Sequence, residues 1–233
     1  MDSINLHFDD YDKTSYLIKF GKKEHLQQII NGKIRFTNLK IYQQTENRNI
    51  GDADENVTDI LHQDGNLKIL FKHPYIENGN EIDVSNSVIS MKNFSNPEKY
   101  VSCFSYFTAK DIFENNIFSD KILEENEWCD VLLILESKLF VSTVEQILSK
   151  NNVIFSPVRY IDYSKNQHRL NEFSKSVEYE HQKEIRFSIE YNNDNSNIKR
   201  IDNNTLEINL GRQFLGVIIP AKEFRESFFI EKK

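Results

Sequence analysis

At 233 residues and 27.6 kDa, with 39% hydrophobic residues that include 17 Phe and 10 Tyr, the chain is too apolar to be disordered and long enough to bury a sizeable core. One domain spanning residues 1–233 is the expectation. A formal charge of -7 and a pI near 5.5 argue against a generic binder of duplex DNA or of anionic membranes. Cys103 and Cys129 are too few for a disulfide framework or a thiolate zinc site, and their apolar neighbours suggest buried, reduced thiols. No apolar run approaches the roughly 18 residues needed to span a bilayer, so a cytoplasmic protein without a membrane partner is expected.

In chain order, residues 4–8 alternate as a short strand and Tyr16–Phe20 form a second, broken by Gly21. Leu26, Ile29 and Ile30 then share one face of a helix that stops at Asn31-Gly32. Residues 33–38 alternate again. Lys19, Lys22, Lys23, Lys33, Arg35 and Lys40 face a single acid, Glu24, and make this the one markedly basic region of an acidic chain. The polar segment 45–63 carries Asp52, Asp54 and Glu55. Val57 stands where an EF-hand requires glycine, so that motif is rejected, and a two-metal site on these acids with His62 is weaker than a solvated turn.

Strands are expected near residues 67–72, 82–91 and 100–107. In the last of these, Ser102, Phe104 and Tyr106 share one face, and Cys103, Ser105 and Phe107 share the other. A helical stretch over 109–125 precedes a buried strand at 130–136, and Phe140, Val144, Ile147 and Leu148 stripe a further helix. Residues 153–163 read as another strand, placed at an edge or bulge by Pro157, and a short helix is expected around Leu170 and Phe173. Ile185, Phe187, Ile189 and Tyr191 then alternate with Glu184, Arg186, Ser188 and Glu190, a half-buried strand with a polar face that edge-strand statistics would leave in solvent. Continued alternation would put Gln182 on the same side as Glu184. Strands at 206–210 and 214–219 follow, and Phe228, Phe229 and Ile230 are expected to dock. The fold class is therefore α+β, with mostly antiparallel strands and short flanking helices.

No phosphate-cradling glycine loop, nucleophile elbow, paired-histidine helix or CxxC occurs, and nothing in the spacing recommends a histidine partner for Ser102, Ser105 or Cys103. Together, Tyr16–Gly21 with its helix, Ser102-Cys103-Phe104-Ser105 and Gln182-Lys183-Glu184 resemble the ADP-ribosyltransferase superfamily. There a first strand carries an Arg or His for NAD, a middle strand a Ser-x-Ser type motif, and a late Gln/Glu-x-Glu the catalytic glutamate. The Gln/Glu-x-Glu pattern also occurs at Gln44/Glu46, Glu125/Glu127 and Glu178/Glu180; only the pair at 182 and 184 opens an alternating strand late in the chain. The chain also resembles uncharacterised bacterial and phage proteins with Lys-Phe-Gly, Gly-Asp-x-x-Glu and Gln-x-Glu-x-Arg-Phe stretches.

This resemblance implies a split-sheet core and NAD as cofactor. Glu184 would be the catalytic carboxylate and Gln182 the group that orients the acceptor. Lys19, Phe20, Arg35, Ser102 and Ser105 would bind NAD, with Ser102 steadying the Glu184 side, basic residues of the opening unit meeting the pyrophosphate, and Lys19, Arg35 or His7 standing for the first-strand residue. Partners would be a protein, RNA or nucleotide acceptor, and the role that of a bacterial toxin or anti-phage effector. The rival expectation is a non-catalytic module that binds a nucleotide or a protein on the same sheet.

Overall fold

The computed structural model describes residues 15–41, 57–63, 68–71, 80–83, 87–92, 98–108, 110–111, 119–164, 168–191 and 195–224. The fold is α+β. A nine-stranded sheet contains β1 (Ser15–Gly21), β2 (Lys33–Asn38), β7 (Lys99–Thr108), β8 (Asp130–Ile134), β9 (Ile154–Pro157), β13 (Glu184–Glu190), β14 (Ile198–Arg200), β15 (Thr205–Asn209) and β16 (Gly216–Pro220), all its pairings antiparallel. Separate small pairings join β3 (Val57–Gln63) to β6 (Ser87–Lys92) and to β11 (His168–Arg169), and β4 (Lys68–Phe71) to β5 (Asn80–Asp83). Among the described residues the one parallel pair is β10 (Arg159–Ile161) with β12 (Ser174–Ser176).

Period-2 alternation gives the sheet two differently covered faces. On one, Leu26 and Ile29 of α1 (Lys23–Ile30) and Phe140 and Val144 of α3 (Ser137–Ile147) close over Leu17, Phe36, Phe104, Leu132 and Phe187. Phe187 stacks on Phe155 with ring centroids 4.3 Å apart and meets Phe104 and Phe140 edge-on. On the other face, Tyr16, Ile18, Phe107, Val131 and Leu133 pack with Ile122 of α2 (Asp120–Glu125). The Ser119 hydroxyl starts α2 by accepting from the Ile122 amide.

β7 is the organising strand. Along one edge it pairs with β13, from Glu184↔Ser105 to Glu190↔Lys99. Its other edge is shared by two strands, with β1 taking Ser105–Thr108 and β2 only Val101 and Tyr100. Between these contacts β1 and β2 diverge around α1 and leave a slit beside residues 102–104. The Lys19 ammonium reaches into it and donates to the Cys103 carbonyl.

Gly32 ends the turn after α1 at φ 77°, and its carbonyl accepts from Leu210 at 2.7 Å. A Cβ there would lie 2.0 Å from the Arg212 carbonyl oxygen. Gly32→Ala therefore combines a left-handed backbone cost of about 1–2 kcal/mol with a collision against the main chain. A fall in Tm of at least about 2–4 °C is expected in a thermal melt; an unchanged Tm would contradict this placement.

Several local expectations are corrected. Residues 153–163 form two short strands split at Val158, whose amide bonds to the Glu184 carbonyl at 2.9 Å. Around Leu170 and Phe173 there is no helix: Phe173 precedes β12, and a 3-10 turn follows over Val177–Gln182. β1 includes Gly21 as its last residue and α1 begins at Lys23, so the strand ends at the expected glycine. Within 109–125 the described helix is Asp120–Glu125, and β8 ends at Ile134. Residues 4–8, His7, Asp52, Asp54, Glu55, Phe228, Phe229 and Ile230 lie outside the described residues. Among the described residues no helix is long and apolar enough to cross a membrane.

Candidate functional site

β13 lies between β7 and β9 and is no edge strand, and its polar face is covered and not solvated. Glu184 is 6% exposed, Arg186 2% and Ser188 3%. The edge-strand expectation thus fails for a topological reason. What covers the face is the β10–β12 pair, whose register sets Tyr160 opposite Lys175, and both reach Glu184. The Tyr160 hydroxyl accepts from the Glu184 amide at 2.7 Å, and the Lys175 ammonium donates to Glu184 Oε2 at 3.1 Å. Arg186 Nε donates to Glu184 Oε1 at 2.5 Å. Both carboxylate oxygens are therefore engaged by cations.

The network extends along the strand. Arg186 also donates to the Glu172 backbone carbonyl at 2.6 Å, and the Glu172 carboxylate accepts from Lys99 at 2.6 Å and from the Ser188 hydroxyl at 3.4 Å. Toward the opening, Lys175 donates to Gln182 Oε1 at 2.8 Å and lies 4.5 Å from the Tyr179 ring centroid. Gln182 and Glu184 do converge, but not as alternate residues of one strand. Gln182 ends the 3-10 turn and Lys183 adopts a left-handed φ of 43°, which turns both side chains toward Lys175. That unusual backbone is held by its neighbours: the Lys183 ammonium bonds Asp111 at 2.7 Å, and Asp111 accepts from the Thr108 amide at 2.7 Å.

Burial pushes the Glu184 carboxyl up, and the charges of Arg186 and Lys175 outweigh it, holding the group well below the usual carboxylate range. Glu184 is ionised at neutral pH. Burial first, with the Glu184 charge adding, pushes the Cys103 thiol up to about 12, so it is a neutral donor beside the carboxylate and not a nucleophile. Removal from water pulls the Lys19 ammonium down, against the favourable charge of Glu184.

The depressed pKa carries a pH dependence. Since the folded state holds Glu184 ionised below its unfolded pKa, its contribution to stability is complete above the ordinary carboxylate range, near pH 4.3, and is lost as pH falls through the lower folded value. Urea midpoints measured from pH 7 down to pH 3 should fall at the acid end, and Glu184→Gln should flatten that fall. An identical profile in wild type and variant would contradict the assignment.

Two clefts adjoin this cluster. A cleft of about 140 Å³ is lined by Lys19, Cys103, Ser105, Asn126, Gln182 and Glu184, among others. A second of about 180 Å³ occupies the slit, where Lys19, His25, Lys33, Arg35, Thr37 and Ser102 contribute to the lining. Lys19 and Phe20 line both. Neither alone encloses a drug-sized ligand, for which about 300 Å³ or more is usual. Ser105 pairs in register with Glu184, whereas Ser102 pairs with Phe187 and faces the slit. The serine beside Glu184 is therefore Ser105, and the expectation that Ser102 steadies Glu184 is corrected by strand alternation.

NAD, implied by the resemblance, meets a suitable donor set. Ser102 and Ser105 are buried, and neither hydroxyl has a hydrogen-bond partner among the described residues. The slit offers cations and the other cleft an ionised carboxylate. Arg186, Lys175, Tyr160 and Cys103 are the site residues that sequence reading missed. Arg186 had a signal, since it shares a strand face with Glu184; Lys175 and Tyr160 depend on how residues 159–176 fold and had none. Comparison with protein-family models, curated proteins and solved structures finds no match to this chain.

Proposed function

We propose that the chain is an ADP-ribosyltransferase-like protein that uses NAD, with Glu184 as its catalytic carboxylate. The observation that carries this reading is the order β1–β7–β13 in one sheet, which brings Lys19, Cys103 and Ser105, and Gln182 with Glu184 to a single cleft. NAD supplies an N-glycosidic bond whose cleavage develops positive charge on the ribose. An ionised, buried carboxylate favours such charge more strongly than one in water, because little solvent competes with it. Gln182 offers an amide at the same mouth to orient a polar group, and Ser105 a hydroxyl. Burial under β10 and β12 restricts access of water to the Glu184 side chain. A protein, RNA or nucleotide acceptor and a toxin or anti-phage role belong to the same proposal.

Incubating the protein with NAD and a cell extract, and following free nicotinamide, tests the reading. Release by the wild type is expected; its absence in every extract and buffer would overturn it. The second reading, a module that binds a nucleotide without turnover, is favoured by the pairing of both Glu184 oxygens with Arg186 and Lys175, which leaves the carboxylate largely neutralised before any ligand arrives. Calorimetric binding of NAD or ADP-ribose with no nicotinamide release would select it.

A further inference from the structure

We infer that the acceptor at the Glu184 cleft is an ionised side-chain carboxylate of a protein, received by the Gln182 amide N–H groups and the Ser105 hydroxyl, with Lys175 as the residue that positions Gln182. This deepens the proposed function and rests on its reading of Glu184 as the carboxylate of an NAD-using site.

Lys175 decides which end of the Gln182 amide faces the cleft. An ammonium has donors and no acceptor, so the Gln182 atom that Lys175 meets at 2.8 Å is the carbonyl oxygen. The amide nitrogen is then directed away from Lys175, and among the described residues it has no partner. Gln182 and the buried Ser105 both line the cleft, which therefore presents N–H and O–H donors where a site for a guanidinium would present oxygens. The charges agree. Glu184 is bonded through one oxygen to Arg186 and through the other to Lys175, one negative charge against two positive ones, and Lys19 lines the same cleft. An incoming ammonium or guanidinium meets cations and a carboxylate already engaged on both oxygens, whereas an anion is attracted.

The acceptor has to arrive ionised because nothing in the cleft removes a proton well. Glu184, held far below the usual carboxylate range, is a weak base, and Cys103 is a neutral thiol. No histidine lines the cleft among the described residues, and both ring nitrogens of His181 are turned to the Glu178 carbonyl and to Glu125. A carboxylate avoids the difficulty. It gives an oxygen lone pair to the ribose carbon as the bond from that carbon to nicotinamide breaks; the bonding pair leaves with the neutral nicotinamide, the product is a glycosyl ester, and no proton moves. The rim selects a protein over a nucleic acid. Exposed Glu124 and Glu127 flank Asn126, exposed Glu178 and Glu180 precede Gln182, and Lys121 of α2 is directed at Glu125 and the Glu178 carbonyl. A strand of phosphates is repelled by such a rim, whereas a single carboxylate among basic residues on a protein surface matches it.

The test follows label from NAD, radioactive in its adenylate phosphate, into the macromolecules of a cell extract, alongside free nicotinamide. Label is expected on protein, resistant to ribonuclease and released rapidly by neutral hydroxylamine, which cleaves esters and leaves linkages to hydroxyl oxygen or sulfur intact. Lys175→Met should lower the ratio of protein label to nicotinamide released about tenfold or more, the loss of a charge-assisted contact, and Lys175→Arg should restore most of it. Both quantities come from the same folded molecules, so a purely structural effect cancels in the ratio. Label that withstands hydroxylamine, label removed by ribonuclease, or a ratio unchanged in Lys175→Met overturns the inference. Nicotinamide release without protein label overturns it while keeping the NAD-using site; no release at all overturns both.

Discussion

Arg186→Met is expected to destabilise the protein by about 3–5 kcal/mol, a loss of roughly 6–20 °C in Tm for a chain of this size. Arg186 is 2% exposed, and its acceptors include Glu184 Oε1 at 2.5 Å and the Glu172 carbonyl at 2.6 Å. Methionine fills much of the same space, so the cost is electrostatic more than steric. It takes from the buried Glu184 carboxylate one of the two cations bonded to it, leaving Lys175, and strips the Glu172 carbonyl of the Arg186 donor. The double variant Arg186→Met/Glu184→Gln should recover part of the loss, since the orphaned charge is then gone. Urea denaturation of wild type, both single variants and the double variant yields the coupling. A single-variant loss below about 1 kcal/mol, the range of exposed ion pairs, would mean that water reaches this pair.

Glu184→Gln is expected to lower nicotinamide release by about 10²–10³-fold, the usual cost of removing one preorganised electrostatic group, with the effect in kcat and not in KM. The amide keeps an acceptor for Arg186 and removes the charge. Folding is affected too, because Arg186 and Lys175 lose their shared counter-ion. Rates must therefore be compared per folded molecule, from the urea curves of the same samples. A raised KM with unchanged kcat would place Glu184 in binding alone and favour the non-catalytic module.

The elements with strong periodicity were legible from the residues. Phe140 and Val144 stripe α3 with Leu148 at its C-cap, Leu206 and Ile208 alternate in β15, and Phe187 and Ile189 enter the main core with Ile185 packed against it. Each of those patterns is local, and local geometry determines it. What failed depended on distant chain. Nothing near Glu184 indicates that β9 and β7 flank its strand or that the segment carrying β10, Glu172 and β12 lies over its polar face, and that cover buries Arg186 and Ser188 instead of solvating them. The convergence of Gln182 and Glu184 was foreseen by a mechanism that does not operate, since the left-handed Lys183 and not strand alternation brings it about. Serine faces followed alternation correctly, yet which face met Glu184 required the β7–β13 register. Lys175 looked like an ordinary polar-segment lysine, and only the β10–β12 pairing carries it to the carboxylate.

The central claim, an NAD-using site built on Glu184, meets its most direct test in the rate of nicotinamide release from NAD by wild type and Glu184→Gln, each normalised to its folded fraction. Release by the wild type with a loss of about 10²-fold or more in the variant is the predicted result. Equal rates in the two proteins, or none in the folded wild type, would contradict it.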